Sequence, residues 1–404
     1  MPNNLNRAEM CEQSFIVIGI SDSRRQHFAP EVLEAIASGR VFSGGRRHHE
    51  IVADLLPADA EWIDITVPLA DVFRRYEGHP RIVVFASGDP LFYGFATTLM
   101  REFPAARVQV FPAFNSLQML AHRINLPYQD MVAVSVTGRP WKNLDDALIS
   151  GYPLIGLLTD RNKTPDAIAR RMLEYGYDNY TMTVGEALGN DGQERISHLA
   201  LSEAAEREFA VPNCVILTQT APRVRHFGIP ENLFTHLDGR AKMITKMPIR
   251  LLSLAMLGLP GRRSLWDVGF CTGSVSIEAR LQFPHLDVTA FEIRPESERL
   301  MQENSRKFGA PGIRAVIGDF LEQDLTAYPR PDAVFIGGHG GRLREMVLRI
   351  ASVLLPGGCI VFNSVSDDSC RTFREAVAEA GLQIVDSHRM ALDDFNPITV
   401  LKAQ

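Results

Sequence analysis

Residues 265–274, Leu-Trp-Asp-Val-Gly-Phe-Cys-Thr-Gly-Ser, constrain the fold of this chain more than any other stretch. A short apolar segment runs into a turn that contains two glycines, and the turn opens a predicted helix over 275–281. A second apolar segment ends in the acid Glu292, and Asp319 follows a third. A strand, a glycine turn, a helix and then a strand that ends in an acid are typical of an open α/β sheet that holds a nucleoside.

The glycine turn also indicates which nucleoside is bound. A dinucleotide site needs the pattern Gly-x-Gly-x-x-Gly, because the backbone must approach a pyrophosphate closely. Cys271 stands at the position of the second glycine, and its side chain would obstruct a pyrophosphate. S-adenosylmethionine has no phosphate, so the turn fits this molecule better. Methyl transfer from it needs little acid–base chemistry, because the sulfonium is already activated and the protein mainly aligns donor and acceptor.

The turn is similar to the first motif of class I methyltransferases. That resemblance implies a cofactor site in which Glu292 holds the ribose, while Asp319 and Phe320 flank the adenine. The other cofactor contacts implied by the resemblance lie in the turn and the strand before it, at Asp267, Gly269, Phe270, Cys271, Thr272 and Gly273.

The length of the chain predicts two domains. A chain of 404 residues exceeds one typical domain, and a hydrophobic content of 46% is sufficient for sizeable cores. Strands and helices alternate in both halves, which favours α/β folds, and the second half predicts a parallel sheet with right-handed crossovers. A stretch rich in proline and arginine over 221–230 indicates the junction. We therefore predict a first domain over 1–222, a linker over 223–240 and a second domain over 241–404.

Charge and cysteine usage exclude several classes of protein. A net charge of −6 argues against a nucleic-acid partner, which usually requires a basic surplus. No apolar run reaches the length of a membrane span, and the apolar segment 15–20 is too short for a signal peptide. The five cysteines are scattered without a Cys-x-x-Cys pair, which fits a reducing cytoplasm and predicts no metal site. We expect a cytoplasmic protein without a membrane or nucleic-acid partner.

Several motifs of the first half occur together in one family. They are Ala86-Ser-Gly-Asp-Pro-Leu-Phe-Tyr-Gly94, Phe111-Pro-Ala-Phe-Asn-Ser116, Val134-Ser-Val-Thr-Gly-Arg-Pro140 and Thr183-Val-Gly-Glu-Ala-Leu-Gly189. The first half thereby resembles a tetrapyrrole methylase, a fold with two α/β lobes, of the cobalt-precorrin-7 C5-methyltransferase type. The resemblance implies that a cofactor cleft is lined by Gly88, Asp89, Pro90, Leu91, Asn115 and Ser116.

The second half resembles the cobalt-precorrin-6B C15-methyltransferase (decarboxylating), a class I methyltransferase with a Rossmann-like seven-stranded sheet. The matching residues are Thr245-Lys246 with Arg250, Phe335-Ile-Gly-Gly-His-Gly-Gly341 and Asn396-Pro-Ile398. The resemblance implies that Thr245 contacts the cofactor.

Both halves in this order are similar to a fused family of cobalamin biosynthesis that methylates precorrin-6Y at C5 and C15. The resemblance implies loss of the C12 acetate carboxyl as carbon dioxide, one S-adenosylmethionine per domain, a precorrin or cobalt-precorrin substrate, and a homo-oligomer.

The implied substrate carries many carboxylates, so a net-negative protein needs local positive lining. We predict that Arg46, Arg47, Lys246 and Arg250 provide it, because a guanidinium binds a carboxylate through two hydrogen bonds. The segment 337–341 consists of four glycines and one histidine, which leaves space for a bulky acceptor and offers N–H donors.

Within that segment we expect Gly337 and Gly341 to contact the substrate and Gly338 to help position it. His339 is a candidate acid, a partner for a carboxylate, or a solvated loop residue, and the sequence leaves these roles open.

Two alternatives remain at this point. One is a methyltransferase with the same folds that acts on another acceptor. The other is a fusion in which the first half is not catalytic. The second alternative arises because the loop Gly19-Ile-Ser-Asp-Ser-Arg24 lacks two glycines that the family usually has there, and their loss removes backbone conformations and access.

Overall fold

A computed structural model describes residues 13–190, 192–240, 242–392 and 396–404, so Cys11 lies outside the described residues. The chain forms two compact units. Unit 1 contains the described residues up to 139 together with 153–169 and 180–220, and unit 2 contains 140–152, 170–179 and the described residues from 221 onward. Two segments that the sequence analysis placed in the first domain, 140–152 and 170–179, therefore cluster with unit 2.

The first sheet of unit 1 has five parallel strands in the order β3-β2-β4-β1-β5. Its strands are β1 (Ser14–Ile20), β2 (Val41–Gly44), β3 (Glu61–Asp64), β4 (Arg81–Ser87) and β5 (Arg107–Phe111). Helices connect them or follow them, namely α1 (Pro30–Ala37), α2 (Arg46–Val52), α3 (Leu69–Tyr76), α4 (Phe95–Glu102) and α5 (Ser116–Arg123), with a 3-10 turn at Ala53–Leu55. The central strands β1 and β4 are buried on both faces, as their continuous apolar runs predict.

The second sheet of unit 1 is mixed and has the order β6-β7-β10-β8-β9. Only β6 and β7 are parallel, and the other neighbours are antiparallel. The strands are β6 (Val132–Ser135), β7 (Leu154–Leu158), β8 (Tyr180–Glu186), β9 (Arg195–Ala200) and β10 (Asn213–Gln219). The helices in this part of the chain are α6 (Lys142–Ser150), α7 (Pro165–Glu174) and α8 (Leu201–Ala205).

Unit 2 is built on a seven-stranded sheet in the order β13-β12-β11-β14-β15-β17-β16. Its strands are β11 (Ser264–Val268), β12 (Asp287–Glu292), β13 (Ile313–Ile317), β14 (Ala333–Ile336), β15 (Cys359–Ser364), β16 (Ile384–Met390) and β17 (Ile398–Ala403). The helices are α9 (Met247–Leu257), α10 (Ser274–Gln282), α11 (Glu296–Phe308), α12 (Leu343–Val353) and α13 (Asp367–Glu379), with 3-10 turns at Glu231–Leu233, Leu259–Gly261, Phe320–Glu322 and Leu325–Ala327.

Apolar side chains fill both faces of this sheet. Along β11, Trp266 and Val268 pack into one core cluster, whereas Leu265 packs into the cluster on the opposite face. This alternation follows from the strand, whose successive side chains point to opposite faces, and the helices on both sides exclude water.

The parallel strands of unit 2 bring the predicted motifs to one edge of the sheet. Their carboxyl ends lead directly into Gly269, Gly318 and Gly337, and β12 ends at Glu292. The α/β fold class is confirmed. The predicted parallel sheet is confirmed from β11 to β15, whereas β17 pairs antiparallel with both β15 and β16.

Within the four described ranges, no helix is both long enough and apolar enough to cross a bilayer.

Candidate functional site

Unit 1 contains a cavity of about 500 Å³ at the carboxyl ends of β1 and β4. Ser21 and Asp22 follow β1 in its wall, and Ser87 and Gly88 lie at the end of β4. The opposite wall comes from the second sheet and the loops around it, including Leu158, Thr159, Gly185, Pro212, Asn213 and Cys214. The cavity therefore lies between the two lobes of one unit, which is where clefts in α/β proteins commonly bind small molecules.

Close backbone packing beside this cavity requires glycine at two positions, of which only Gly88 lines the wall. A Cβ on Gly19 would lie 2.0 Å from the carbonyl oxygen of Gly88. Gly88 has a φ of +62°, and a Cβ there would lie 2.8 Å from the Cα of Asn115. Asn115 in turn caps α5, since its side chain accepts a hydrogen bond from the backbone N–H of Gln118 at 2.9 Å. These contacts fix the ends of β1, β4 and the start of α5 against each other.

The structure divides the predicted cofactor residues of the first half into two groups. Gly88, Asn115 and Ser116 line the cavity. The three residues of the turn, Asp89, Pro90 and Leu91, do not. The Asp89 carboxylate accepts a hydrogen bond from the Leu91 N–H at 2.9 Å, so these residues close the turn that carries Gly88 to the wall.

The loop that lacks the usual glycines leaves the cavity open. Ser21 and Asp22 form part of its wall. The side chain of Gln26 holds the loop, because its amide nitrogen donates to the carbonyl oxygen of Ser21 at 3.1 Å and its amide oxygen accepts from the Ser21 N–H at 3.3 Å. The two hydrogen bonds from the Gln26 side chain thus fix the backbone conformation of this loop in place of the usual glycines.

The basic side chains of α2 separate in space. Arg47 and His48 line the cavity, and Arg47 pairs with Asp22 at 3.2 Å. Burial, followed by the neighbouring charge of Arg47, lowers the pKa of His48 to about 4. Arg46 is 92% exposed and pairs with Glu50 one helical turn away, so its contact with the substrate stays a prediction, and of these two arginines only Arg47 lines the cavity. The reason is helical geometry, which turns consecutive residues to different sides.

Unit 2 contains a cavity of about 670 Å³ at the carboxyl ends of β11 and β14. Predicted residues from three segments meet in its wall: Thr245, Lys246, Asp267, Gly269, Phe270, Cys271, Thr272, Gly337 and Gly338. A smaller cavity of about 130 Å³ is lined by Glu292, Asp319, Phe320 and His339 among others. Gly269, Arg294 and Gly338 line both cavities, so the two adjoin at the glycine turn.

The glycine turn requires residues without side chains at two positions. Gly269 has a φ of +81°, and a Cβ there would lie 2.5 Å from the backbone nitrogen of Gly338. Gly273 has a φ of +77° and precedes α10, where a Cβ would meet the sulfur of Met301 at 2.5 Å, but Gly273 is not part of either cavity wall. Cys271 adopts a φ of +49°, and its thiol donates to the carbonyl oxygen of Met243 at 3.3 Å. The thiol therefore narrows the cavity without filling it.

Two carboxylates below the turn differ in their partners. Asp267 is buried, and its Oδ2 accepts from the hydroxyl and the N–H of Ser276 at 2.6 and 3.2 Å. Its Oδ1, like the hydroxyl of Thr272, has no hydrogen-bond partner among the described residues. Burial is the main reason why the pKa of Asp267 rises to about 7. Glu292 instead accepts from the N–H of Cys271 at 2.9 Å and pairs with Arg294 at 2.9 Å.

Asp319 and Phe320 form the far side of the smaller cavity. The Asp319 carboxylate accepts from the Leu321 N–H at 2.9 Å and pairs with Arg342 at 3.0 Å. Phe320 packs edge-on against Phe291, with ring centroids 5.1 Å apart. An acid, an aromatic ring and Glu292 thus surround a small cavity, which is an arrangement suited to a nucleoside.

The glycine-rich segment 337–341 contributes less polar surface than expected. The N–H groups of Gly337 and Gly338 both donate to the carbonyl oxygen of Val268, at 2.8 and 3.4 Å. The N–H of Gly341 donates to Nδ1 of His339 at 3.2 Å, and Gly341 lies in neither cavity wall. These three N–H groups already have partners within the protein, and the substrate contact at Gly341 stays a prediction.

Comparison with known proteins gives two family matches that divide the chain. Residues 14–205 match the family model described as tetrapyrrole (corrin/porphyrin) methylases, and residues 232–403 match the one described as a precorrin methyltransferase domain. A protein of a Sinorhizobium species, named precorrin-6Y C(5,15)-methyltransferase [decarboxylating], is 32% identical over 358 residues, which are 87% of this chain and 84% of the relative. The chain belongs to this family.

Separate relatives match each activity in the name of the family. The cobalt-precorrin-6B C(15)-methyltransferase (decarboxylating) of Salmonella typhimurium is 36% identical over 162 residues, which are 40% of this chain and 83% of that protein. The cobalt-precorrin-7 C(5)-methyltransferase of the same organism is 29% identical over 208 residues, which are 50% of this chain and 98% of that protein. The resemblance to a fused C5,15-methyltransferase is confirmed.

Arg250 has a different role in this member of the family from the one predicted. Its side chain is fully buried and forms an ion pair with Glu278, which is fully buried as well. Its remaining nitrogens donate to the carbonyl oxygens of Thr245, at 2.8 Å, and of Ile229. The predicted contact with substrate is corrected, because every part of the guanidinium faces protein and Arg250 is absent from the cavity wall.

Three polar residues of the larger cavity were not predicted from the sequence. Lys242 and Arg294 add positive charge to the wall that Lys246 also lines. Asn363 lies near the end of β15, and its amide oxygen accepts from the hydroxyl of Ser253 at 3.0 Å. The position of Asn363 at the carboxyl end of a parallel strand was a usable signal, since functional residues of open α/β sheets cluster there.

Proposed function

We propose that this chain methylates a precorrin-type macrocycle twice in the biosynthesis of cobalamin. Unit 1 transfers a methyl group to C5. Unit 2 transfers a methyl group to C15 and promotes loss of the C12 acetate carboxyl as carbon dioxide. The observation that carries the proposal is that each unit has its own cavity at the carboxyl ends of its strands, while the chain aligns with relatives for both activities.

S-adenosylmethionine is the methyl donor in this proposal, with one molecule in each unit. When bound, it supplies an activated methyl group on a sulfonium. The residues of unit 2 fit such a ligand, because Asp267 and Thr272 each present a buried oxygen without a partner among the described residues. Asp267 lies in the wall of the larger cavity and would hold the ammonium group of the methionine part, while Glu292, Asp319 and Phe320 would hold the adenosine part in the smaller cavity.

In unit 1, Gly88, Asn115 and Ser116 are the residues that we assign to the cofactor. The turn that places Gly88 in the wall is formed by Asp89, Pro90 and Leu91, so we assign these three residues no direct contact with the cofactor. Thr245 and Lys246 are assigned to the site of unit 2, because both line its larger cavity.

The acceptor in unit 2 is a bulky polyanion, and the larger cavity suits it. Gly337 and Gly338 have no side chains, so the wall there leaves space beside the glycine turn. Lys242, Lys246 and Arg294 bring positive charge to the same wall, which favours carboxylates.

His339 lies on the smaller cavity, and burial lowers its pKa below the ordinary value of the side chain. His339 does not line the larger cavity, where we place the macrocycle. We therefore assign His339 to the support of the segment 337–341, where its Nδ1 accepts the Gly341 N–H, and Gly338 to the positioning of the acceptor.

Isothermal titration of the full chain with S-adenosylhomocysteine tests the cofactor part of this proposal, and two binding sites per chain are expected. Mass spectrometry of the macrocycle after turnover tests the reaction. The expected product has gained two methyl groups and lost one carbon dioxide. A single site, or a product with one methyl group and an intact acetate, would show that one unit does not act as proposed.

A further inference from the structure

Ser87 is the last residue of β4 and lies in the wall of the cavity of unit 1. Its hydroxyl lies within hydrogen-bond distance of two side chains of α2, Arg47 and His48. Nη2 of Arg47 lies 3.3 Å from its oxygen, and Nε2 of His48 lies 2.8 Å from it. Arg47 can only donate, because a guanidinium has no acceptor. The direction of the bond to His48 depends on which imidazole nitrogen holds the proton.

A second hydrogen bond fixes the tautomer of His48. The backbone N–H of Gly45 donates to Nδ1 of His48 at 3.2 Å, so Nδ1 is an acceptor. The imidazole is neutral near pH 7, because burial and the charge of Arg47 lower its pKa to about 4. The single ring proton therefore lies on Nε2, and His48 donates to Ser87.

The hydroxyl of Ser87 thus accepts two hydrogen bonds and keeps its own proton. A hydroxyl has one donor and two acceptor positions, and both acceptor positions are used. Among the described residues, none accepts the Ser87 proton. Because Ser87 is exposed and lines the cavity, this proton is available to an acceptor bound there.

The charge beside Ser87 is positive on the side of the cavity. Arg47 pairs with Asp22, but the guanidinium side chain is 44% exposed and the carboxylate side chain only 11%. The other oxygen of Asp22 accepts from the side-chain amide of Asn190 at 3.4 Å. Asp22 therefore holds the guanidinium in place from a more buried position in the same wall, and the exposed part of the Arg47 side chain is what a ligand meets.

We propose that Arg47 and Ser87 form a carboxylate-binding site, with His48 as the positioning residue that orients the Ser87 hydroxyl. An oriented O–H donor next to a guanidinium matches the two oxygens of a carboxylate. This inference rests on the proposed function of unit 1, whose ligands supply carboxylates from two sources: the methionine part of S-adenosylmethionine and the acid side chains of the macrocycle.

Ser87→Ala removes the donor and Ser87→Thr keeps it, so the two variants in the full chain test the site. Ser38→Ala is a matched control, because Ser38 is an exposed serine of unit 1 outside the cavity wall. Titration measures the affinities for S-adenosylmethionine and for its decarboxylated analogue, and the site of unit 2 serves as an internal standard. Steady-state C5 methylation gives the KM of the macrocycle.

We expect Ser87→Ala to weaken one carboxylate ligand about tenfold, the loss typical of one hydrogen bond to a charged group, and Ser87→Thr to restore binding. Weaker binding of S-adenosylmethionine, with unchanged binding of the decarboxylated analogue, assigns the carboxylate to the donor. A raised KM of the macrocycle with unchanged donor affinity assigns it to the acceptor. Both results support the site and differ only in the source of the carboxylate.

The positioning role of His48 has its own readout. If His48 acts only by orienting the Ser87 hydroxyl, His48→Ala weakens the same ligand in the wild-type chain but has no further effect when combined with Ser87→Ala. Additive losses would overturn this role.

Unchanged affinities and KM in Ser87→Ala, or equal losses in Ser87→Ala and Ser87→Thr, would overturn the carboxylate site. Failure of the underlying function looks different, because the wild-type chain would then show no site in unit 1 and no C5 product.

Discussion

Arg250 and Glu278 form an ion pair inside unit 2 in which both side chains have an exposed fraction of 0%, with Nε and Oε2 2.5 Å apart. Glu278 also accepts from the backbone N–H of Gly228, and Arg250 holds the carbonyl of Thr245. The pair thereby ties the segment before α9, which carries part of the cavity wall, to the centre of α10. A charge in this position acts on stability, not on the ligand.

Arg250→Ala should therefore destabilise unit 2 strongly. Removing one partner leaves an uncompensated buried carboxylate, which costs roughly 3–5 kcal/mol. Chemical denaturation measures the loss, with Arg46→Ala as a control that changes stability little, because Arg46 is 92% exposed. If Arg250→Ala unfolds like the wild-type chain but has a raised KM for the macrocycle, Arg250 contacts the substrate as first predicted.

Gly269→Ala should abolish cofactor binding in unit 2 and leave unit 1 unaffected. The φ of +81° is strained for an L side chain, and the added Cβ would meet the backbone of Gly338 at 2.5 Å. Titration should then find one site per chain in place of two. Gly261→Ala is the matched control, because a Cβ at Gly261 meets nothing within 4 Å. Two intact sites in Gly269→Ala would contradict the assignment of the turn.

Because the pKa of Asp267 is raised, we expect the cofactor affinity of unit 2 to depend on pH. Its pKa is raised to about 7 in the folded, ligand-free chain, mainly by burial, so below that pH it is mostly protonated and neutral. A bound ammonium group favours the ionised form and lowers this pKa, so binding releases a proton at lower pH. Affinity should weaken as the pH falls through about 7 towards about 5.5, and it should level off above about 8, where Asp267 is already ionised in the free chain.

Titration across that pH range, with Asp267→Asn for comparison, checks the prediction. The variant cannot ionise, so we expect weaker binding without this pH dependence. Its side-chain oxygen can still accept the hydrogen bonds from Ser276, which keeps the comparison close to isosteric. The same pH profile in both proteins would separate Asp267 from the cofactor.

Cys271→Gly should be tolerated. Cys271 adopts a φ of +49°, where glycine has no steric penalty, so the substitution relieves about 1 kcal/mol of strain and loses one thiol hydrogen bond. We expect a small change in stability and two cofactor sites by titration. Loss of the second site would show that the contact between this thiol and the carbonyl of Met243 shapes the cavity.

The thiol itself should react slowly. Burial, and then the charge of Glu292, raise the pKa of Cys271, so little thiolate exists near pH 8. Peptide mass spectrometry after iodoacetamide treatment should find Cys271 alkylated slowly, with loss of the site in unit 2 as alkylation proceeds. Rapid modification without any loss of binding would place the thiol outside the cofactor site.

Most strands could be predicted from the sequence because their apolar runs are long and bounded by turn residues. The run over 81–86 became β4, and the run over 15–20 became β1. The strands β3, β8 and β9 were missed, because β3 has only four residues, and β8 and β9 mix polar with apolar residues and contain no continuous apolar run. The direction of β17 was also beyond the sequence, because an apolar strand has the same pattern whether it pairs parallel or antiparallel.

The candidate sites also contain some features that the sequence predicts and others that it does not. The glycine turn of unit 2 could be predicted, since glycines at fixed offsets between a strand and a helix have few other uses. The partners of charged residues could not. Arg46 and Arg47 are adjacent and chemically equal, yet only Arg47 lines the cavity. The predicted oligomer and cytoplasmic location stay predictions.

The sequence by itself determined the fold class, the order of the two methyltransferase halves and the turns around which the cavities form, because these depend on local patterns of apolar residues and glycines. Only the tertiary structure decided what each polar side chain faces. Arg250 pairs with a buried carboxylate from another helix. The hydroxyl of Ser87 lies next to two donors from α2, and none of the described residues accepts its own hydrogen. Hydrogen bonds and ion pairs act over a few ångströms between residues far apart in the chain, so folding alone sets them.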